Sequence, residues 1–198
     1  MSERIAFPTP LHQQATETIV HFCQGLPTVD AVLMVNSLAR GQGTPQSDLD
    51  MVVLIPAAVL ASDGAELETQ WRAFYQSDPT LQRFHASGRF AHVHLDFIDG
   101  IYTAEVWDEG GGPDAFEIGV GNHVFYSAPL WEGTSAFADL KARWLPYYDE
   151  PLRQDRLRMV TAACRYDLDH VPFFVGRGLY FQAFDRLYKA FQEFLQAL

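Results

Sequence analysis

Several things are scarce in this chain, and each scarcity narrows what it can be. Only two of its 198 residues are cysteine, Cys23 and Cys164. They lie far apart in helical-looking segments, which fits reduced thiols in a cytoplasm rather than a disulfide framework, and two are too few for a cysteine-built zinc site. No uninterrupted apolar run approaches the ~20 residues that span a bilayer, so no membrane partner is expected. The opening residues Met1 to Pro8 lack a basic start followed by an apolar stretch, so a secretory signal is not expected and a cytoplasmic location is. Internal repeats and low-complexity tracts are absent too.

Positive charge is scarce in one part only. Residues 1–150 carry 7 Lys+Arg against 20 Asp+Glu, a balance of −13, while residues 151–198 carry 7 against 5, a balance of +2. A nucleic-acid surface needs basic residues to displace condensed counterions, so the acidic first part argues against that partner. It favours a cationic or neutral acceptor, with metal ions offsetting the charge of any bound phosphate. With 48% apolar and 20% charged residues, the chain is globular in composition.

The apolar pattern predicts α+β architecture: a small mixed-sheet domain over residues 1–132, then a helical bundle domain over 133–198. Pro10 opens a helix with Leu11, Ala15, Ile19, Phe22 and Cys23 on one side, closed by Gly25 and Pro27. Strands are expected at Val29–Val35, Leu49–Ile55 and Phe90–Ile98, with a short fourth at His123–Tyr126. Helix is expected at Ala65–Tyr75 and, after Asp78-Pro79, around Leu81–Phe84; Asp108–Asp114 reads as a loop. From about Gly133 the pattern is helical. Tyr180, Phe184, Leu187, Phe191 and Phe194 recur at three- and four-residue steps, with Phe181, Tyr188 and Leu195 widening the stripe. A stripe this apolar needs cover, and Leu198 ends it without a cap. A bundle incomplete within this chain is therefore expected, continued by absent residues or completed by a homodimer through the C-terminal helices.

The chemistry is concentrated in Val35 to Asp50, between two strands. Asp48 and Asp50 stand two apart at the start of a strand, so their carboxylates project from one face. Two converging carboxylates repel unless a cation lies between them, and magnesium, shared between one or two carboxylates and substrate phosphates, is the natural occupant. The Asn36-Ser37 turn offers a small hydroxyl and backbone N–H groups suited to a phosphate. Asp96, on the alternating run His92 to Asp96, brings a third carboxylate from a neighbouring strand. His92, His94 and Asp96 also share a face; a His-x-His-x-Asp metal site is the sharper reading of it, and the blander one is that alternation produces such faces by default on a half-exposed strand.

This stretch resembles the signature of the DNA polymerase β-like nucleotidyltransferase superfamily: a Gly-Ser or Gly-Gly turn, Ala-Arg-Gly, Ser-Asp-x-Asp, and a later strand carboxylate. Within it the chain is most similar to the minimal and antibiotic-modifying branch, such as aminoglycoside and lincosamide nucleotidyltransferases. The likeness is specific over Val35 to Ile55, weaker at Leu95-Asp96-Phe97 and only architectural after Gly133. The resemblance implies a nucleotide site of Asn36, Ser37, Arg40 and Ser47, with Ser37 holding the triphosphate. It implies that Asp48 and Asp50 ligate two magnesium ions, and that Asp96 completes the site and deprotonates the acceptor. The implied reaction moves an NMP, AMP foremost, from an NTP to a hydroxyl of a small molecule, an aminoglycoside- or lincosamide-like antibiotic among the candidates, with pyrophosphate released. One departure stands out: Asn36 occupies the place of a glycine. Asn tolerates left-handed backbone geometry better than other non-glycine residues, so the turn is expected to survive, with a side chain added beside the phosphate.

Other residues carry blander readings. Arg40 is expected to pair with a carboxylate or anchor the turn. Glu105, Asp108, Glu109 and Glu117 form an acidic region in which Glu117, among apolar neighbours, is the acceptor-binding candidate. Trp107 and Trp131 suit core packing better than base stacking. Arg165 and His170 have the Arg-x4-His spacing of HEPN ribonucleases, too short a motif to carry that activity. Two other readings stay beside the leading one: a protein-modifying nucleotidyltransferase of a toxin–antitoxin pair, and a catalytically silent module of the same fold.

Overall fold

The computed structural model describes residues 5–101, 122–144 and 150–197. Those residues form a mixed α+β arrangement, a four-stranded sheet with helices and then a long helical hairpin. The chain divides into two compact units, Met1–Tyr102 with His123–Trp144, and Thr103–Asn122 with Leu145–Leu198.

In the first unit, helix α1 (Pro10–Gln24) begins where the Thr9 hydroxyl accepts the backbone N–H of His12, with Pro10 pre-set in the first turn. Strand β1 (Ala31–Met34) leads through a single helical turn, α2 (Asn36–Ala39), to strand β2 (Leu49–Leu54). Pro56 ends that strand and caps α3 (Ala57–Ser77); Asp78 then caps α4 (Pro79–His85) by accepting the N–H groups of Thr80 and Leu81. Strand β3 (Val93–Ile98) follows, then α5 (Asn122–Tyr126), β4 (Ala128–Glu132) and α6 (Ala136–Trp144). The sheet order is β3-β2-β1-β4, with β1 antiparallel to both neighbours and β2 parallel to β3. A parallel neighbour cannot be reached by a hairpin, and α3 with α4 makes the crossover.

Alternation sorts the strand residues onto two faces. Val32, Met34, Leu49, Met51 and Val53 meet Ala15, Ile19 and Cys23 of α1 and Leu81 and Phe84 of α4 in one fully or nearly fully buried cluster. Each such large side chain stabilises by roughly 1.5–3 kcal/mol, which fixes β2 rigidly beneath the segment it carries. On the other face Leu33, Val52 and Leu54 are also buried. There Leu140 of α6 and Leu54 come within 3.2 Å of where a side chain at Gly100 would begin. That second face is apolar toward the end of β2 and carboxylate-bearing at its start.

In the second unit, α7 (Glu150–Gly176) and α8 (Tyr180–Gln196) form an antiparallel hairpin turned at Gly178, whose φ of 69° is left-handed. Pro172 lies inside α7.

Two expectations need correction. His123–Tyr126 belongs to a helical turn, and the fourth strand is Ala128–Glu132. Pro129 made that stretch a poor strand from sequence; it is accommodated because β4 lies at a sheet edge and the register shifts at Val32/Leu33, leaving Leu130 as the extra residue. Helix α3 starts eight residues before Ala65, since Pro56 caps it and its first turns are largely exposed, so no apolar periodicity announces them. Residues 136–144 are helical as expected. The expected loop at Asp108–Asp114, together with Glu105, Trp107, Glu109 and Glu117, lies outside the described residues.

Candidate metal centre

The turn after β1 is shaped by a residue in a conformation that few side chains adopt. Asn36 has φ 56°, in the left-handed region, and the chain then runs through α2 until the amide of Gln42 closes on the carbonyl of Ser37 at 2.8 Å. Asn is among the non-glycine residues that tolerate this conformation. The Asn36 side chain is not idle. Its Nδ2 donates to Oδ2 of Asp50 at 2.9 Å, tying the turn to the strand that carries the carboxylates.

The segment ahead of β2 is anchored from below by His12, which is 2% exposed. Its Nε2 lies 3.0 Å from the Ser47 carbonyl and its Nδ1 lies 2.7 Å from the Thr9 hydroxyl. A carbonyl can only accept, so Nε2 carries the proton and Nδ1 accepts from Thr9. This fixes the backbone immediately before Asp48. Sequence reasoning missed His12; the only available signal was its place three residues after a helix-capping threonine.

Above this anchored base, Asp48, Asp50 and His94 each present one ligand atom, and the three atoms lie within 4.8 Å of one another. The strand register explains the meeting: Asp50 pairs with His94 across parallel β2 and β3, so the two side chains share a face. Asp48 stands just ahead of the strand, its Oδ2 3.7 Å from Nε2 of His94. This is the one such group of metal-ligating side chains among the described residues. Two carboxylates and an imidazole match the donor chemistry of a divalent cation, the carboxylates serving magnesium or manganese and the imidazole favouring zinc and other transition metals.

The other sequence candidates are placed differently. Asp96 pairs with Val52, two residues beyond the Asp50–His94 pair, exposed on the same face but outside the group of three. The group of three therefore includes a histidine, and Asp96 lies further along the same face of β3. Ser37 lies half-buried in α2. The Ser47 hydroxyl is occupied locally, accepting the N–H of Thr44 at 2.9 Å. Arg40 places its guanidinium 4.8 Å over the Tyr126 ring, an interaction within the first unit that anchors the turn. Trp131 packs against the core cluster. His170, of the Arg-x4-His spacing, donates from Nδ1 to the Tyr166 carbonyl at 2.7 Å within its own helix. Neither cysteine belongs to this group of ligating side chains. Burial pushes the Cys23 thiol up to about 12, and Cys164 donates its S–H to the Ala190 carbonyl.

No protein-family model, curated protein or solved structure matches this chain. Of the described helices, none is long and apolar enough to cross a membrane.

Proposed function

We propose that this protein is a metal-dependent nucleotidyltransferase that moves an NMP from an NTP to a hydroxyl of a small-molecule acceptor. The observation that carries the reading is the convergence of Asp48, Asp50 and His94 at the start of β2, in the segment whose Ser-Asp-x-Asp pattern resembles the nucleotidyltransferase signature. Asp48 and Asp50 would hold divalent cation with His94 beside them. When bound, such a cation would supply positive charge that eases an in-line displacement at the α-phosphorus. The rest falls to the chain. The α2 turn with Ser37 receives the triphosphate, Asn36 holds Asp50 in one orientation, and the His12–Ser47 bond keeps Asp48 in register. Asp96, exposed on the same face, accepts the acceptor's hydroxyl proton as its oxygen bonds to phosphorus and the bond to pyrophosphate breaks.

One observation favours a second reading, a silent module of the same fold. The Asn36 amide already engages an Asp50 oxygen that a cation would use. The two readings separate in a screen of NTPs by thermal shift, with and without magnesium or manganese, followed by pyrophosphate release in the presence of aminoglycoside and lincosamide acceptors. Cation-dependent stabilisation by an NTP and acceptor-dependent pyrophosphate release, both lost in Asp48→Asn and Asp50→Asn, are the expected results. Absence of NTP binding under every cation would leave the silent module.

A further inference from the structure

The helical hairpin is assembled inside out. Toward α7, helix α8 turns small and polar residues: Ala183, Ala190 and Glu193 are its buried positions, and Arg186 pairs with the buried Asp167 of α7. The large apolar side chains face away. Phe181 is 80% exposed, Tyr180 70% and Phe184 65%, and the stripe continues through Leu187, Tyr188 and Phe191 to Leu195, each about half exposed. No charged residue interrupts it. Single exposed apolar residues are normal on a soluble protein, but a contiguous face of this kind marks an interaction surface.

We propose that this face pairs with the same face of a second copy, the two α8 helices antiparallel about a two-fold axis between Leu187 and Tyr188. Two features single out a second copy. The first is self-complementarity. Placed antiparallel about that axis, Phe184 of one copy lies opposite Phe191 of the other, Phe181 opposite Phe194, Tyr180 opposite Leu195, and Leu187 opposite Tyr188. Every position of the stripe meets another position of the stripe, which is what an isologous contact requires. The second is size. At roughly 200 Å² for each large side chain, the exposed parts of the stripe amount to about 900 Å² per copy, against the ~800 Å² each partner contributes to a standard stable interface. The pairing makes a four-helix arrangement from two hairpins, in which the aromatic layer is central and the Asp167–Arg186 pairs lie within each hairpin.

The test uses the full chain. Sedimentation equilibrium should show a dimer whose thermal midpoint rises with protein concentration, since association stabilises by mass action. Phe184→Glu and Phe191→Glu should each raise the dimer dissociation constant by roughly 100-fold or more and abolish the concentration dependence of melting, because a charge lands in the centre of the apolar layer. Gln182→Glu, an exposed change off the stripe, should leave both unchanged. Phe184→Gln gives the same direction without an added charge, should the glutamate variants fold poorly, and helicity by circular dichroism reports folding in each case. A wild-type monomer at every concentration would overturn the proposal. So would a dimer that the Phe184 and Phe191 variants leave intact, or a monomer that loses helicity on substitution, which would mean the stripe is covered within its own chain.

Discussion

At the residue scale, the centre turns on which side chain stands third beside Asp48 and Asp50. Imidazole suits zinc and other transition metals, and carboxylates suit magnesium and manganese. If His94 is a ligand, His94→Ala should weaken zinc binding by roughly 10-fold or more, on the scale of losses seen when a metal site is perturbed, while magnesium affinity changes little. Asp96→Ala should leave cation binding nearly unchanged and lower turnover, as befits a side chain paired with Val52 rather than with Asp50. Isothermal titration of each variant with each cation checks both, and equal losses of magnesium affinity in the two variants would return Asp96 to the ligand set. Asn36 gives a separate measurement. At φ 56° a glycine is free of strain, while an alanine carries the left-handed penalty of about 1–2 kcal/mol, and both lose the bond to Asp50. Asn36→Ala should therefore be less stable than Asn36→Gly by about 1 kcal/mol in urea unfolding, and Asn36→Gly should retain or improve NTP affinity because an Asp50 oxygen is released.

At the element scale, the three strands around the chemistry were legible because each is either a dense β-branched run or a clean alternation; Leu49–Leu54 and Val93–Ile98 fall inside the expected spans. The fourth was not, because a proline at a bulged edge obeys the sheet's topology and not its propensity. The Asp48–Asp50 face was readable from period two alone. That Asp50 meets His94, and not Asp96, depends on parallel register, which no local pattern specifies. The hairpin of α7 and α8 holds a polar interior that its apolar stripe concealed. There Glu193 is buried beside Asp167, one of its oxygens meets no hydrogen-bond donor among the described residues, and burial with the Asp167 charge pushes its carboxyl up to about 7, against the smaller pull of Lys189 and Arg186. A carboxyl whose folded value lies above the ordinary one of 4.5 contributes its stability below that value and loses it as pH rises through about 7. Melting should therefore decline from pH 5 to pH 8, and Glu193→Gln should flatten that slope and raise the midpoint at pH 8. An unchanged slope in the variant would assign the pH dependence to other groups.

At the scale of the whole molecule, charge is the property with reach beyond any one contact. The net charge is −11, and residues 1–150 alone carry a balance of −13. Among the acidic side chains of that part, Asp48, Asp50 and Asp96 gather at one face of the sheet, where a low-dielectric wall beneath them strengthens their field. Under the proposed function a bound cation would cancel the repulsion toward an NTP, while the residual field outside the centre would still attract a positively charged acceptor and slow a negative one. Exposed charges separated by more than about 8–10 Å are largely screened at physiological salt, so this attraction acts on encounter and not on chemistry. If the acceptor is a polycationic aminoglycoside-like molecule, raising salt from low to physiological ionic strength should raise its KM several-fold with kcat nearly constant. For a neutral, lincosamide-like acceptor both parameters should hold. The comparison is made at fixed free cation and saturating NTP, so that the salt response belongs to the acceptor alone. A KM that stays flat for a polycationic substrate would show that the acidic surface lies away from the acceptor's approach, and the choice of acceptor would then rest on shape.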